Sequence, residues 1–311
     1  MMIYLKLVLT AVFWGGTFVA AKFVVREVGP YAAAFLRFAM ASVVLLAVTL
    51  KAEGKLARPG WRQFAGVVIL GATGIAFYNV VYFKGLELIE AGRASLIIAT
   101  IPVFLCASSA VVFKERLTGL KIAGILVSVL GAGVVISRGD IAGLANSGIG
   151  WGEVFIFGCV ASWVVYSLVG KKVMAGLSPL VSVLYASAVG AVMLAPPALA
   201  NGMAKEMWGY SVTAWASVAY LALFGTVIGF VWYYEGVKTI GPTRAGLFIN
   251  FVPISAVTCA FFILGESMTW SLFFGGLLVM SGVYLVNRPQ RRTAEAEKTE
   301  NHSNESSGRA S

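Results

Sequence analysis

Charge is scarce in this chain of 311 residues: 12% are Asp, Glu, Lys or Arg, against 59% apolar. A water-soluble domain carries about twice that share of charge. Histidine is rarer still. The single one, His302, stands near the C-terminus, so no His-Glu-x-x-His metal helix and no Ser/His/Asp set can be assembled. Cys106, Cys159 and Cys259 fall singly inside apolar runs, without the paired spacing of a disulfide framework or a metal site. They read as small packing residues. The run Gly148-Ile149-Gly150-Trp151-Gly152 lacks the Lys-Ser/Thr that completes a phosphate loop. These absences leave catalysis without its usual groups. The expectation is a protein that is not an enzyme, with no cofactor and no metal.

Abundant instead are long apolar runs. Ten are legible, at 4–24, 31–50, 63–83, 93–113, 119–137, 151–170, 179–199, 212–234, 243–264 and 270–287. A helix needs about 20 apolar residues to cross the hydrocarbon layer. The runs are continuous rather than alternating, which speaks against a β-barrel. Lys6 is followed by an apolar run reaching Val25, long enough to be a first transmembrane helix rather than a cleaved leader.

The net charge of +10 suggests a nucleic-acid partner until its placement is read. Assigning the segments between runs alternately to two sides puts seventeen basic residues on one side, from Lys6 to Arg309, and six on the other: Lys22, Arg26, Lys84, Arg93, Arg138 and Lys205. Basic residues stay cytoplasmic. Both termini are therefore expected in the cytoplasm, with membrane lipid and no nucleic acid as partner. An even number of spans satisfies this.

The chain also repeats itself. A shift of 149 places Trp14 on Trp163, Lys22 on Lys171 and Pro30 on Pro179. A shift of 151 places Tyr82 on Tyr233, Gly85 on Gly236, Arg93 on Arg244, Pro102 on Pro253, Glu115 on Glu266, Thr118 on Thr269, Gly124 on Gly275 and Gly131 on Gly282. Each repeat holds five spans, an odd number, so the second enters the membrane from the opposite side. The expected fold is all-α and integral to the membrane. It has ten transmembrane helices in two inverted five-helix repeats, 1–137 and 138–287, then a disordered cytoplasmic tail over 288–311. Inverted repeats place a substrate near the midplane and rock one half against the other. The plainer reading is duplication as a way to build a large bundle.

Few ionisable groups lie inside the runs. Arg37, a third of the way into the second, could meet an anionic substrate group or could snorkel or bond a neighbouring carbonyl. The structural role is favoured. Glu153 and Glu235 lie near run ends, where water reaches them. Uncharged polar and aromatic residues say more. Tyr78 and Tyr82 are four apart and share a helix face with Asn79 close by; Trp163 and Tyr166 are three apart. With Trp14, Trp232 and Asn250 these residues are the candidate substrate-binding set. Asn79 and Asn250 must face protein or a wet cavity, because an unpartnered amide is costly in lipid. Aromatic residues nearer the run ends, Tyr4, Tyr31, Trp61, Trp151, Trp208, Tyr210, Trp215 and Trp270, read as interfacial anchors. Pro102 and Pro253 each free the carbonyl four residues earlier and are candidate hinges. The glycine pairs Gly124/Gly131 and Gly275/Gly282 make smooth faces for close helix packing, within the chain or between subunits.

In these repeats the sequence resembles the drug/metabolite transporter superfamily, in its EamA-type ten-helix branch. The resemblance is carried by the first run from Leu9 to Lys22, Phe35-Leu-Arg-Phe38, Tyr82-Phe-Lys-Gly-Leu86, Ala94, Pro102, Lys114-Glu-Arg-Leu-Thr118, and Gly265-Glu266 with Thr269. It covers about residues 4–287. It implies ten helices with both termini cytoplasmic, and a cavity lined by the first, third, fourth, sixth, eighth and ninth. It implies a multi-pass exporter in a bacterial inner membrane, a monomer or weak homo-oligomer. Its aromatic inner faces make the chain look most like exporters of aromatic and other apolar amino acids. A multidrug or toxic-cation exporter is the alternative, and an intramembrane enzyme or non-transporting scaffold the alternative of another class. Sugar phosphates are disfavoured, since no lysine or arginine is expected deep in the cavity helices.

Overall fold

Apolar length and local caps together decide where each helix runs. In the computed structural model, which describes residues 2–54, 56–57, 59–113, 117–140, 149–173, 177–240, 245 and 248–287, nine helices are long and apolar enough to cross a membrane. They are α1 (Met2–Val24), α2 (Pro30–Glu53), α3 (Trp61–Leu88), α4 (Ala91–Val112), α5 (Gly119–Ile136), α6 (Trp151–Val169), α7 (Leu180–Ala200), α8 (Val212–Tyr233) and α10 (Trp270–Asn287). The shorter apolar α9 (Phe248–Leu264) completes ten. No strand occurs among the described residues. The protein is an all-helical, multi-pass membrane protein. Glu115, Arg244, Lys114, Arg116, Gly148 and the tail 288–311 lie outside the described residues.

The helix starts are written in the sequence. Pro30 opens α2 in the first turn, where its missing N–H is not needed. The Ser178 and Ser211 hydroxyls accept from the Val181 and Ala214 N–H groups at the starts of α7 and α8. Thr269 does the same for Leu272 in α10. The third helix runs beyond the expected 63–83 to Leu88. Lys84 and Glu87 do not stop it, because charged residues snorkel at a membrane boundary. Its 28 residues are about 42 Å long at 1.5 Å per residue, more than the hydrocarbon layer of about 30 Å requires.

Small residues bring the helices together. Ala11, Ala21, Ala33, Ala34, Ala91 and Ala94 are buried. Val43, Val111, Val192 and Phe262 lie exposed on the outside, the distribution expected where lipid is the solvent. Trp61, Trp151, Trp208 and Trp270 are exposed at span ends as anchors, whereas Tyr31, Tyr210 and Trp215 pack partly into the core.

The contacts are reciprocal between the two sequence repeats. Helix α1 packs on α8 and α9, and α6 packs on α3 and α4. A side chain at Gly85 would strike Ile156, and one at Gly236 would strike Leu7. Gly85 and Gly236 are repeat partners, as are Leu7 and Ile156 at a shift of 149. The pairs α2–α7 and α5–α10 each join a helix to its own counterpart. In the antiparallel α5–α10 seam, Gly124 abuts Gly282 and Gly131 abuts Gly275. The glycine faces thus meet inside one chain, not at a subunit contact.

Two helices widen midway. Gly71–Phe77 in α3 and Leu221–Ile228 in α8 are π-helical, and their first residues, 71 and 221, stand 150 apart. A π turn carries one extra residue and leaves backbone carbonyls reachable, a form concentrated at functional sites.

Candidate substrate site

The α3 π turn ends next to the aromatic residues picked out by their spacing. Tyr78 and Tyr82 stack, with ring centroids 6.0 Å apart and planes at 18°. Tyr78 meets Trp163 of α6 at 5.4 Å, and Trp163 meets Tyr166 at 5.1 Å. At the other end Tyr82 meets Phe18 of α1 edge-on at 5.5 Å. Five rings from three helices therefore form one continuous aromatic row. Tyr166 fits because Gly74 in the π turn leaves its ring no Cβ to strike.

Beside this row lies Arg37. It belongs to α2, yet its Nη1 donates to Asn79 Oδ1 in α3 at 3.1 Å and its Nε to Thr226 Oγ1 in α8 at 3.4 Å. Each acceptor is tied to a π turn: Asn79 Nδ2 donates to the Ile75 carbonyl, and the Thr226 hydroxyl to that of Leu221. Asn79, 2% exposed, thus spends both ends of its amide inside the protein. The helices expected to line the cavity carry no arginine at this depth themselves. A long side chain on a neighbouring helix reaches between them. Position 186, the repeat counterpart of Arg37 at a shift of 149, is alanine, so the charge is not duplicated.

The remaining candidates fall elsewhere. Trp14 sits across α1, where its indole N–H donates to the Gly225 carbonyl at 3.0 Å and its ring meets Phe230 and Tyr233. With Leu7, Thr10, Ala11, Tyr233, Phe248 and Ile249 it lines a small cleft. Trp232 joins a separate cluster with Phe13, which meets Phe224 in turn. Asn250 is half-buried in the 3-10 turn Phe248–Phe251 that opens α9. Pro102 follows an interruption of α4 at residues 99–100, where the Thr100 N–H bonds the Ile97 carbonyl. Pro253 stands in the first turn of the α-helix after that 3-10 segment. Both prolines therefore mark breaks at equivalent places.

One end of the bundle is laced by polar ties. Lys22 Nζ donates to the Leu86 and Ile89 carbonyls at the end of α3. The Glu266 carboxylate accepts from the Ala91 and Gly92 N–H groups, at 2.7 and 2.9 Å, capping α4. Gly265, at φ 70°, makes the turn that sends Glu266 there, a conformation open chiefly to glycine. Glu27 accepts from the Ser211 N–H and hydroxyl; these bonds hold its carboxyl below its ordinary value. Arg93 pairs with Glu153 between α4 and α6. Glu153 is 7% exposed, which corrects its reading as water-accessible. Position near a helix end does not say which way a side chain faces. At the opposite end Lys6 pairs with Glu235 at 2.8 Å.

Sequence reasoning passed over Thr226, Gly74 and the Arg93–Glu153 pair. A lone hydroxyl in the apolar run Leu221–Ile228 was the available signal for Thr226. An opposite-charge pair inside apolar runs was the signal for the last.

Ten apolar helices packed around an aromatic row, with Arg37 beside it, make a polytopic membrane protein. A model described as the EamA-like transporter family matches residues 1–137 and 150–288. The chain belongs to this family and is a membrane transporter. It is 27% identical over 281 residues to an uncharacterized transporter, YyaM, of Bacillus subtilis, covering 90% of this chain and 92% of the relative. It is 35% identical over 288 residues to a probable terminal-alkyne amino-acid exporter of Streptantibioticus cattleyicolor, covering 91% and 92%. The uncharacterized inner membrane transporter YedA of Escherichia coli is 26% identical, with 88% and 89% covered. A solved crystal structure superposes with a TM-score of 0.65 at 20% identity, covering 92% of this chain and 96% of that one, and shares the fold.

Proposed function

We propose that the protein exports amino acids with aromatic or other apolar side chains across a bacterial inner membrane, by alternating access between two inverted halves. The observation that carries this reading is the aromatic row Phe18–Tyr82–Tyr78–Trp163–Tyr166, a wall that suits a flat or greasy side chain and whose faces also attract an ammonium group. The relative named as an amino-acid exporter and the inner membrane relative support the substrate class and the location. The reciprocal contacts and the placement of basic residues support inversion, with both termini cytoplasmic. Breaks at Pro102 and Pro253 are the hinges of the rocking motion, and Trp14, Asn250 and Trp232 complete the path on the other side of α1.

The deciding experiment is counterflow of labelled amino acids into liposomes holding the purified protein, with and without a proton gradient. Flux of phenylalanine or leucine above empty liposomes is expected. Absence of flux for every amino acid, with efflux of cationic dyes instead, sinks the reading in favour of a multidrug exporter.

A further inference from the structure

Arg37 is expensive to keep inside the bundle. It stands about 10 Å into α2 at 1.5 Å per residue, at a depth where a charge needs a partner. Other cations near the interior among the described residues lie close to span ends. Lys22 is held by two carbonyls, Lys84 lies over the Tyr31 and Phe155 rings, and Arg93 pairs with Glu153 and Glu90. Arg37 has no carboxylate within ion-pair distance among the described residues. Its partners are a neutral amide, a hydroxyl and the Phe38 ring.

A guanidinium has five N–H donors in a rigid plane. Two are spent, on Asn79 and Thr226, which leaves three, both protons of Nη2 among them. Nη2 looks toward Gly225, where a Cβ would come within 3.5 Å. A staple that only tied α2 to its neighbours would not need a permanent charge with most of its donors idle. The plane is fixed from two sides, by Thr226 on one π turn and by Asn79 just after the other, in electrostatic reach of Tyr78 and Tyr82. This is a preorganised cation near the aromatic row, with Nη2 turned toward α8.

We infer that Arg37 binds the carboxylate of the transported molecule, so that the site takes a monoanionic carboxylate carrying an aromatic or apolar group and rejects the same molecule without its carboxylate. The charge count sets the ligand's valence. One unpaired guanidinium matches one carboxylate, received by paired N–H donors. A phosphate dianion would leave a buried charge unmatched, since alanine stands at the counterpart position 186. The inference deepens the amino-acid reading and rests on it for the aromatic end of the ligand.

The test is competition against labelled phenylalanine counterflow by 3-phenylpropionate, phenylalaninamide and phenethylamine, in wild type and in Arg37→Gln and Arg37→Lys. The expected result is competition by 3-phenylpropionate and none by the amide or amine. Half-saturation for phenylalanine should rise about 10- to 100-fold in Arg37→Gln, the effect of losing a charge-assisted hydrogen bond, and less in Arg37→Lys. Amide competing as well as phenylalanine, or unchanged half-saturation in Arg37→Gln, overturns the inference while leaving amino-acid transport standing. Should Arg37→Gln not fold, the wild-type competition decides alone. Flux of labelled 3-phenylpropionate without flux of phenylalanine keeps the carboxylate site and removes the amino-acid reading. Flux of phenethylamine alone removes both.

Discussion

Arg93 and Glu153 face each other across α4 and α6 at 3.2 Å, with side chains only 8% and 9% exposed. Removing one member of such a pair strands the other charge, at a cost of about 3–5 kcal/mol. Glu153→Ala should therefore lower the melting temperature in detergent strongly, and Arg93→Ala/Glu153→Ala should lie above the sum of the two single effects. Glu90, 3.6 Å from Arg93, moderates the Glu153 loss. Additive single and double variants would show that the pair is not coupled.

Bulk in the glycine seam should also destabilise the bundle. A Cβ at Gly131 would sit 2.6 Å from the Val279 nitrogen and 2.7 Å from the Gly275 carbonyl oxygen. Both are backbone and cannot rotate away. Gly131→Val should cost about 2–3 kcal/mol, as overpacking does, and broaden the melting transition. Gly133→Val, where nothing lies within 4 Å of the added atom, serves as the control on the same helix and should melt close to wild type. Equal losses at both positions would contradict the seam.

Trp163 links Tyr78 to Tyr166. Trp163→Ala should raise half-saturation for phenylalanine more than for leucine, since an aromatic pair adds about 0.5–1.5 kcal/mol beyond buried area. Liposome counterflow of both substrates measures this, and an unchanged ratio between them would remove Trp163 from the binding wall.

Acid should loosen one end of the bundle through Glu27. Its folded-state value lies below the ordinary carboxylate value because Ser211 donates to it twice. A depressed folded value means that the stabilisation is whole above the ordinary range and is lost as pH falls through the folded value. Melting temperatures of wild type and Glu27→Gln should therefore differ at neutral pH and converge as pH falls through the folded value of Glu27. A gap that persists unchanged into acid would refute the linkage.

The spans were legible because lipid imposes a length, and the aromatic row because spacings of three and four residues fix a helix face. Tyr78, Tyr82, Trp163 and Tyr166 needed only that rule. Sequence spacing carries no information on which helices become neighbours. Arg37 was weighed by the helix it belongs to, while its reach across to Asn79 and Thr226 depends on α2 lying against α3 and α8. Glu153 was judged by its depth along α6, while its burial depends on the direction it faces. Trp14 and Trp163 are repeat partners with different surroundings. Trp163 meets Tyr78, whereas Trp14 lies against Gly229, where a Cβ would come 2.4 Å from its indole nitrogen.

The reciprocal seam also governs what each half can inherit. Gly124 abuts Gly282, and exchanging the halves turns that contact into the one between Gly275 and Gly131. A mutation that enlarges one half there is met by the other half at once, so these four positions cannot drift independently. Divergence is free where a residue does not touch the seam, as at Arg37 against Ala186 or Tyr78 against Gly229. A gene that copied itself could thus keep its paired frame while making its interior one-handed, with the Arg37 charge in only one of the two copies.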